Sequence, residues 1–270
     1  MIDGKFVFET LTAVRKQSPL VHNITNFVVM NNTANALLAI GASPVMAHAV
    51  EEVTDMVAIA SALVINMGTL NPQWVEGMIA AGKAAAKKEI PVIFDPVGVG
   101  ATPYRNTTAV EIIKECRPSI IRGNASEIMA LTHENVQTKG VDSTSASSSA
   151  LESAKQLAND TGAVVVVSGE VDFITDGNTV ISISNGSPMM PKVTGMGCTA
   201  TAVVGAFAAV CPDLLSAAAG AMAVMGIAGE IAVEKSTGPG SLQLNFIDVL
   251  YNLSENDIVN ILRLESRILE

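Results

Sequence analysis

Ala163-Val164-Val165-Val166-Val167 is the stretch that decides the fold, because it holds four consecutive β-branched residues with no polar residue between them. A strand with one face in water alternates apolar and polar residues, whereas a strand covered on both faces is apolar throughout. The stretch therefore predicts a central strand with helices on both sides. Such a strand is typical of a doubly wound α/β arrangement.

Other apolar runs repeat this signal, and helical patterns separate them. The runs that predict strands are Leu20–His22, Ala62–Ile65, Pro91–Phe94 and Ser119–Ile121. The patterns that predict helices are Asn71–Lys88, Tyr104–Cys116 and Ser147–Asn159, the last entered through a serine-rich loop at Ser143–Ser149. Two short alternating segments, Val171–Thr175 and Thr179–Ser184, predict an antiparallel hairpin at the sheet edge. Strands that alternate with helices predict a mostly parallel sheet flanked by helices on both faces.

Length and composition indicate one large domain. The chain has 270 residues, 49% of them hydrophobic, and no obvious linker divides it, so we expect a single domain over residues 1–270. The net charge of -10 disfavours nucleic acid as a partner, because the phosphate backbone would be repelled. A nucleotide still fits, since a helix N-terminus, an arginine or a divalent metal overrules net charge at one site.

The cysteine pattern and the N-terminus favour the cytoplasm. The first residues lack the apolar core of a signal peptide. Two uncharged runs, 198–211 and 214–229, are too short to span a membrane, and they predict a buried helical hairpin with its turn at Pro212-Asp213. We therefore expect no membrane partner. The cysteines have neither the number nor the spacing of a disulfide framework or a zinc site: Cys116, Cys198 and Cys211.

Polar segments follow the apolar runs, at the end of the strands where open α/β sheets bind ligands. They are His22–Asn26, Asn66–Thr69, Asp95–Gly98, Arg122–Glu127 and Ser168–Glu170. Taken alone, Asp95 also fits a turn or capping role, and Glu127 fits a first-turn glutamate of a helix. Together, with Arg122 and Asn124 beside Glu127, they predict a site for magnesium and phosphate.

The segment Val193–Ala200 leads into a long apolar helix and predicts an anion hole. Gly195 and Gly197 let the backbone turn so that successive N–H groups point into one concavity at the helix N-terminus. The helix dipole is expected to lower the pKa of the Cys198 thiol. A purely structural glycine-rich cap is the alternative. A dinucleotide fingerprint fits poorly, because no hydrophobic strand precedes the glycines.

In combination these motifs resemble the ribokinase-like superfamily, and within it the hydroxyethylthiazole kinases, over nearly the full length. The residues that carry the resemblance are Val21–Asn26, Asn66–Leu70, Asp95–Ala101 and Gly195–Cys198. The resemblance implies that ATP phosphorylates the primary alcohol of 4-methyl-5-(2-hydroxyethyl)thiazole in thiamine salvage. It also implies a homotrimer whose thiazole sites lie between subunits.

The resemblance also assigns a role to each candidate residue. Asp95 and Glu127 would organise Mg²⁺. The residues expected to bind ATP are Arg122, Asn124 and Ser168. The residues expected to line the thiazole pocket are Asn26, Met46, Gly68 and Gly195. The anion hole around the transferred phosphoryl group would be formed by Gly195, Gly197 and Cys198.

Three side-chain types leave alternatives open. Sugar kinases of this superfamily carry Asp as base where this chain has Cys198, and a thiol is a poor base unless ionised. We therefore expect Cys198 to shape the pocket and contact the hydroxyl. A thioether suits a flat sulfur heterocycle, yet Met46 also fits a core position. The histidines show no ligand spacing and favour structural or surface roles: His22, His48 and His133.

Two other functions are compatible with this fold. One is an ATP-dependent dehydratase that repairs hydrated nicotinamide cofactors; Cys198 and the segment His22–Asn26 disfavour it. The other is a thiazole- or nucleotide-binding protein without turnover. Asp95, Asn124, Glu127 and the glycine pair disfavour that alternative.

Overall fold

The computed structural model describes residues 2–132 and 143–268, with side chains described outside 143–148. Its strands are β1 (Leu20–Ile24), β2 (Ser43–Val45), β3 (Ala62–Asn66), β4 (Val92–Asp95), β5 (Ile120–Asn124), β6 (Val164–Ser168), β7 (Asp172–Thr175), β8 (Thr179–Ile183) and β9 (Leu264–Ile268). Its helices are α1 (Gly4–Gln17), α2 (Met30–Ala39), α3 (Val53–Ile59), α4 (Pro72–Lys88), α5 (Pro103–Cys116), α6 (Ala125–Thr132), α7 (Ser143–Thr161), α8 (Met196–Ala208), α9 (Leu214–Glu234), α10 (Pro239–Asn252) and α11 (Glu255–Ile261).

These strands form one sheet in the order β2-β1-β3-β4-β5-β6-β7-β8-β9. The six strands from β2 to β6 in this order run parallel, and β7, β8 and β9 continue the sheet antiparallel. The mostly parallel sheet with an antiparallel hairpin at one end is confirmed. A further strand, β9, pairs with β8 and lies beyond the hairpin.

The valines of β6 send their side chains alternately to the two faces of the sheet. Val164 and Val166 join an apolar cluster with residues of α8 and α9 on one face. Val165 and Val167 join a second cluster with residues of α4, α5 and α7 on the opposite face. Since both faces are dry, the strand needs no polar residue, which is the arrangement that its sequence predicts.

Capping residues set where the helices begin. Asn71 Oδ1 accepts a hydrogen bond from Trp74 N at 2.9 Å and precedes Pro72 at the start of α4. Thr102 and Pro103 repeat this arrangement at α5. The predicted serine-rich loop at Ser143–Ser149 is wrong, because α7 already begins at Ser143. Serine costs a helix only a few tenths of a kcal/mol, so the helix that buries Ala150 can continue back to Ser143.

Helices α8 and α9 form the predicted buried hairpin on one face of the sheet. Gly205 lets α8 approach closely, because a methyl group there would lie 2.9 Å from Val64 Cγ2. Helix α9 is the one helix in the described ranges that is long and apolar enough to cross a membrane. However, 78% of its most apolar window is buried inside the protein, which makes it a core helix.

Several strands continue into polar residues that the sequence pattern assigns to loops. Asn66 pairs with Asp95 across β3 and β4, and Asn124 pairs with Ser168 across β5 and β6. A parallel ladder bonds through the backbone and is indifferent to side-chain polarity. These polar side chains therefore stand on the rigid carboxyl edge of the sheet.

Candidate active site

The N-terminus of α8 faces this carboxyl edge through its two glycines. Gly195 is the N-cap with φ +82° and lies against Val29, where a methyl group would stand 2.6 Å from Cγ1. A methyl group at Gly197 would lie 2.7 Å from Arg122 Nη1. A side chain at either position would thus collide with a neighbour. Because glycine has no side chain, a small space remains between the first N–H groups of the helix and the Arg122 guanidinium. Such a space suits an anion.

Asn66 is the centre of a buried network between the strands. Its Oδ1 accepts hydrogen bonds from Asn26 Nδ2 and from Gly68 N, both at 2.9 Å. Its Nδ2 donates to Asp95 Oδ2 at 2.8 Å, and Thr201 Oγ1 donates to the same oxygen at 2.8 Å. The network fixes the ends of β1, β3 and β4 relative to α8. It brings Asn26, Gly68 and Asp95 together as the sequence predicts.

Cys198 lies beside this network, and its environment contradicts one expectation. Its Sγ accepts a weak hydrogen bond from Asn26 Nδ2 at 3.5 Å. Burial and then the nearby Asp95 carboxylate raise the pKa of the Cys198 thiol to about 11. The predicted lowering of this pKa by the helix dipole is therefore wrong, because desolvation outweighs it. The side chain is a neutral thiol near pH 7, in agreement with a passive role.

Asp95 is buried at the end of β4 with one oxygen in use and one unpaired. Oδ2 carries the two hydrogen bonds described above, whereas Oδ1 has no hydrogen-bond partner. Burial raises the pKa of this carboxyl to about 6, against the opposing effect of the Arg122 charge. An unpaired buried oxygen is costly unless a ligand or ion meets it. Asp95 thus keeps one buried oxygen unpaired beside the Asn66 network.

Glu127 holds two loops through its carboxylate. Oε1 accepts from Gly98 N at 2.9 Å, and Oε2 accepts from Asn124 N at 2.8 Å. Asn124 Oδ1 in turn accepts from Glu127 N at 3.0 Å, so the two residues cap the start of α6. This is the first-turn structural role that the sequence left open. Each carboxylate oxygen retains a second lone pair that could reach a metal through water.

Within the described residues, no group of three or more His, Cys, Asp or Glu side chains is arranged to hold a metal ion. Asp95 nevertheless ends β4, and Glu127 lies in the first turn of α6, directly after the adjacent strand β5. Magnesium is commonly held by one or two carboxylates, with the remaining positions filled by water and by substrate phosphates. The two residues therefore fit a metal that arrives with a nucleotide better than a resident one.

Arg122 and Ser168 stand at one end of a cavity of about 710 Å³. Arg122 Nη2 donates to Ser168 Oγ at 2.6 Å, whereas Arg122 Nε is buried without a partner. The lining also has an apolar part, which includes Pro188, Met190, Pro191, Met222 and Met225. Asn124 and Gly197 also line the cavity, so it joins the anion position to an apolar compartment.

Met46 and the histidines lie less centrally. Met46 is half-buried after β2, at the same edge of the sheet. His22 is buried, its Nε2 bonds to Ala47 O at 2.8 Å, and burial lowers its pKa. His48 packs on the Trp74 ring at 4.5 Å between centroids. The structural reading of these two histidines agrees with their surroundings, and His133 lies outside the described residues.

Sequence reasoning missed the side chains that connect the site. Asn66 was part of a strand-end motif, but its polarity gave no sign that it bridges two neighbours. Thr201 follows Gly197 by four residues and so lies on the same face of α8, a spacing that could have indicated it. Asp172 also lines the cavity, and burial raises its pKa to about 6.

Known proteins resemble this chain over most of its length. The model of the Hydroxyethylthiazole kinase family matches residues 11–256. A hydroxyethylthiazole kinase from Syntrophus aciditrophicus (strain SB) is 57% identical over 253 residues, which cover 93% of this chain and 94% of that protein. The solved structure of a hydroxyethylthiazole kinase protein from Pyrococcus horikoshii OT3 superposes with a TM-score of 0.91 at 41% identity, covering 97% of this chain and 99% of that one.

A more distant structure extends the likeness of the fold. A ribokinase-like superfamily protein from Enterococcus faecalis V583 has a TM-score of 0.60 at 15% identity and 87% coverage of both chains. The ribokinase-like fold predicted from the sequence is confirmed. With a family model over most of its length and relatives above half identity, the chain belongs to the hydroxyethylthiazole kinase family.

Proposed function

We propose that this protein transfers the γ-phosphoryl group of ATP to the primary alcohol of 4-methyl-5-(2-hydroxyethyl)thiazole, giving the phosphate ester used to build thiamine phosphate. One observation carries the proposal. The N-terminus of α8 contacts Arg122 through Gly197 and the Asn26 network through Cys198. An anion position and a small polar pocket thus meet at one helix end, as phosphoryl transfer to a small alcohol requires.

The donor nucleotide fits the cavity of about 710 Å³. Its phosphates lie toward Arg122, Asn124 and Ser168, where the guanidinium supplies fixed positive charge. Its base lies in the apolar compartment, because the polarisable thioethers of Met222 and Met225 pack well against an aromatic ring. Gly195 and Gly197 then surround the transferred group with backbone N–H donors of α8.

Asp95 and Glu127 are the residues that would hold Mg²⁺. The unpaired Asp95 Oδ1 offers a direct ligand, and Glu127 offers a contact through water. When bound, magnesium neutralises charge on the phosphate oxygens and aligns them. The protein itself keeps Asp95 in place through Asn66 and Thr201, so the carboxylate needs no reorganisation.

The acceptor alcohol lies against Asn26, Met46, Gly68 and Gly195. Cys198 contacts its hydroxyl as a neutral thiol, since a pKa of about 11 leaves little thiolate to act as base. Loss of the hydroxyl proton is therefore late in the transfer and goes to phosphate or water. The protein contributes position and charge rather than a strong base.

The proposal includes a cytoplasmic homotrimer, each chain one domain over residues 1–270, with thiazole sites between subunits. Two exposed apolar residues support the subunit contact. Phe27 and Val28 directly follow Asn26, and their exposed fractions are 62% and 69%. A partner subunit that covers them would also close the pocket beside Asn26.

The decisive experiment incubates the pure protein with Mg-ATP and single alcohols, then identifies the products by mass. The panel contains the thiazole alcohol, a pyrimidine alcohol, pyridoxal and a sugar. We expect one stable phosphate ester, formed from the thiazole alcohol at the highest kcat/KM. Nucleotide binding without ADP formation, or a faster reaction with another alcohol, would overturn the proposal. Hydrated nicotinamide cofactor is added as a fifth substrate, because free phosphate and an alkene product would indicate the dehydratase instead.

A further inference from the structure

Arg105 of α5 donates three hydrogen bonds to carbonyl oxygens at the carboxyl edge of the sheet. Nη1 donates to Met67 O and to Val97 O, both at 2.6 Å, and Nη2 donates to Gly68 O at 3.0 Å. These carbonyls belong to two loops: the acceptor loop (67–70), which follows β3, and the metal loop (96–101), which follows β4. A single guanidinium therefore joins the two loops.

The metal loop is held from both sides. The stem of Arg105 lies on Gly98, where a methyl group would stand 3.3 Å from Cδ and where φ is +73°. Gly98 N donates to Glu127 Oε1 at 2.9 Å on the other side. The loop that follows Asp95 is thus fixed between an arginine and a glutamate, and Gly98 admits the arginine because it has no side chain.

Among the described residues, the Arg105 guanidinium is engaged by these carbonyl oxygens and not by a carboxylate. The ion pairs found in residues 2–132 and 143–268 do not include Arg105. Hydrogen bonds from a charged donor are stronger than neutral ones. The planar guanidinium reaches three carbonyls in fixed directions, whereas a lysine ammonium at the same place is a compact point charge that cannot span them.

We infer that Arg105 is a positioning residue for phosphoryl transfer. It holds the acceptor loop, which carries Gly68, in a fixed relation to the metal loop, which follows Asp95, so that the alcohol and the phosphate meet in line. This inference rests on the proposed function. Its physical reason is that misplacement by about 1 Å costs on the order of 100-fold in rate. None of the three residues whose carbonyls bind Arg105 lines the nucleotide cavity, so nucleotide binding should depend little on Arg105.

Steady-state kinetics of Arg105→Met, Arg105→Lys and the wild type test the inference. Arg267→Met, on the exposed strand β9, is the matched control. We expect Arg105→Met to lower kcat/KM for the thiazole alcohol by about 10- to 100-fold while KM for ATP changes by less than about 3-fold. Arg105→Lys should recover part of kcat, and Arg267→Met should match the wild type. Far-UV circular dichroism at the assay temperature verifies that each variant is folded.

Hydrogen exchange provides a readout that is independent of activity. In ligand-free protein, the acceptor loop and the metal loop should exchange about 10-fold faster in Arg105→Met than in the wild type, while β5 and β6 stay unchanged. If Arg105→Met misfolds, the comparison uses Arg105→Lys, which should show the same change at smaller amplitude.

The outcomes separate this inference from the proposed function. A wild type that phosphorylates no thiazole alcohol overturns the proposed function, and hydrogen exchange still decides whether Arg105 fixes the two loops. A folded Arg105→Met with wild-type kcat/KM, or with unchanged exchange in both loops, contradicts the positioning role. Equal losses in ATP binding and in kcat also contradict it, because they would indicate general disruption.

Discussion

Cys198 shows how burial and a helix N-terminus compete over one side chain. The helix end favours the thiolate, but desolvation and the adjacent Asp95 favour the thiol, and the pKa of Cys198 rises to about 11. The balance depends on whether neighbouring side chains enclose the sulfur, which cannot be read from the spacing of residues 193–200. The residue type was visible in the sequence, whereas its protonation state required the fold.

Alkylation tests this protonation state. At pH 8 the Cys198 thiolate should be about 100-fold scarcer than for a thiol of ordinary pKa near 9.0. Iodoacetamide should therefore label Cys198 at least about 100-fold more slowly in the native protein than in guanidinium chloride, as measured by peptide mass spectrometry. The unfolded protein is the control for intrinsic reactivity. Equal labelling rates in the two states would show a thiol of ordinary pKa and would contradict the prediction.

Asp172 makes a separate prediction about stability. Burial raises the pKa of its carboxyl from 3.8 to about 6, against a hydrogen bond from Gly169 N. Between these values the native state binds the proton more tightly than the unfolded chain, so this group's contribution to stability falls as pH rises from 4 to 6. From pH 5 to 7.5 the group should lower the free energy of unfolding by about 1 kcal/mol.

The variant Asp172→Asn should lose that share of the pH dependence. Urea unfolding at pH 5.0 and pH 7.5 measures it, and Asp248→Asn on the exposed surface of α10 is the control for removal of one charge. Asp95 has a pKa raised in the same direction and remains in both proteins, so its contribution cancels in the comparison. An unchanged difference between the two pH values in Asp172→Asn would contradict the prediction.

At the scale of elements, two helical glycines differ in the space around the position where a side chain would begin. Gly205 in α8 faces Val64, and a methyl group there would lie 2.9 Å from Cγ2. Gly240 in α10 has no atom within 4 Å of the corresponding position. The same substitution to alanine therefore fills a tight contact in one helix and open space in the other.

We expect Gly205→Ala to lower the free energy of unfolding by about 1 to 2 kcal/mol, because overpacking exceeds the gain in helix propensity. We expect Gly240→Ala to leave it unchanged or to raise it by up to about 1 kcal/mol. Urea unfolding of the two variants beside the wild type gives both numbers. Stabilisation by Gly205→Ala would show that the close approach of α8 to β3 is looser than described.

The elements that the sequence predicted correctly are those with long uniform patterns. The apolar runs of β3, β4 and β6 and the capped helix α4 could be located because burial on both faces or a cap leaves a clear signature. Strand β2 is three residues long and contains Pro44, and β9 carries charges on an exposed edge. Both lack the periodicity that identifies a strand, since their pairing depends on neighbours far away in the sequence.

The site followed the same rule. The motifs at Asn26, Asp95 and Gly197 could be predicted, because parallel strands end at one edge and glycines at a helix start are distinctive. The bridging bonds of Asn66 and Arg105 could not, because each joins elements that are distant in the chain, whereas the four-residue spacing from Gly197 could have indicated Thr201. A structural first-turn role of Glu127 was anticipated as an alternative, and the choice between that role and metal binding depends on geometry alone.

At the scale of the whole molecule, the proposed trimer makes the exposed residues near Asn26 important. Val28→Glu should shift the mass measured by light scattering toward the monomer and raise KM for the thiazole alcohol by about 10-fold or more, since a buried unpaired charge disrupts an interface. Val110→Glu is the matched control, because Val110 is 61% exposed on α5. A wild type that is already monomeric at working concentration would contradict the subunit contact.

The order of the strands separates the residues proposed for the two substrates. The strand-end residues proposed to bind the acceptor follow β1, β2 and β3, those proposed to bind the nucleotide lie on β5 and β6, and Asp95 on β4 lies between the two groups. The loops after β1, β2 and β3 can therefore be exchanged while the residues on β5 and β6 that are proposed to bind ATP stay unchanged. To engineer the protein for new alcohol substrates, these three segments are the ones to randomise. The nucleotide-binding side of the sheet then needs no mutation.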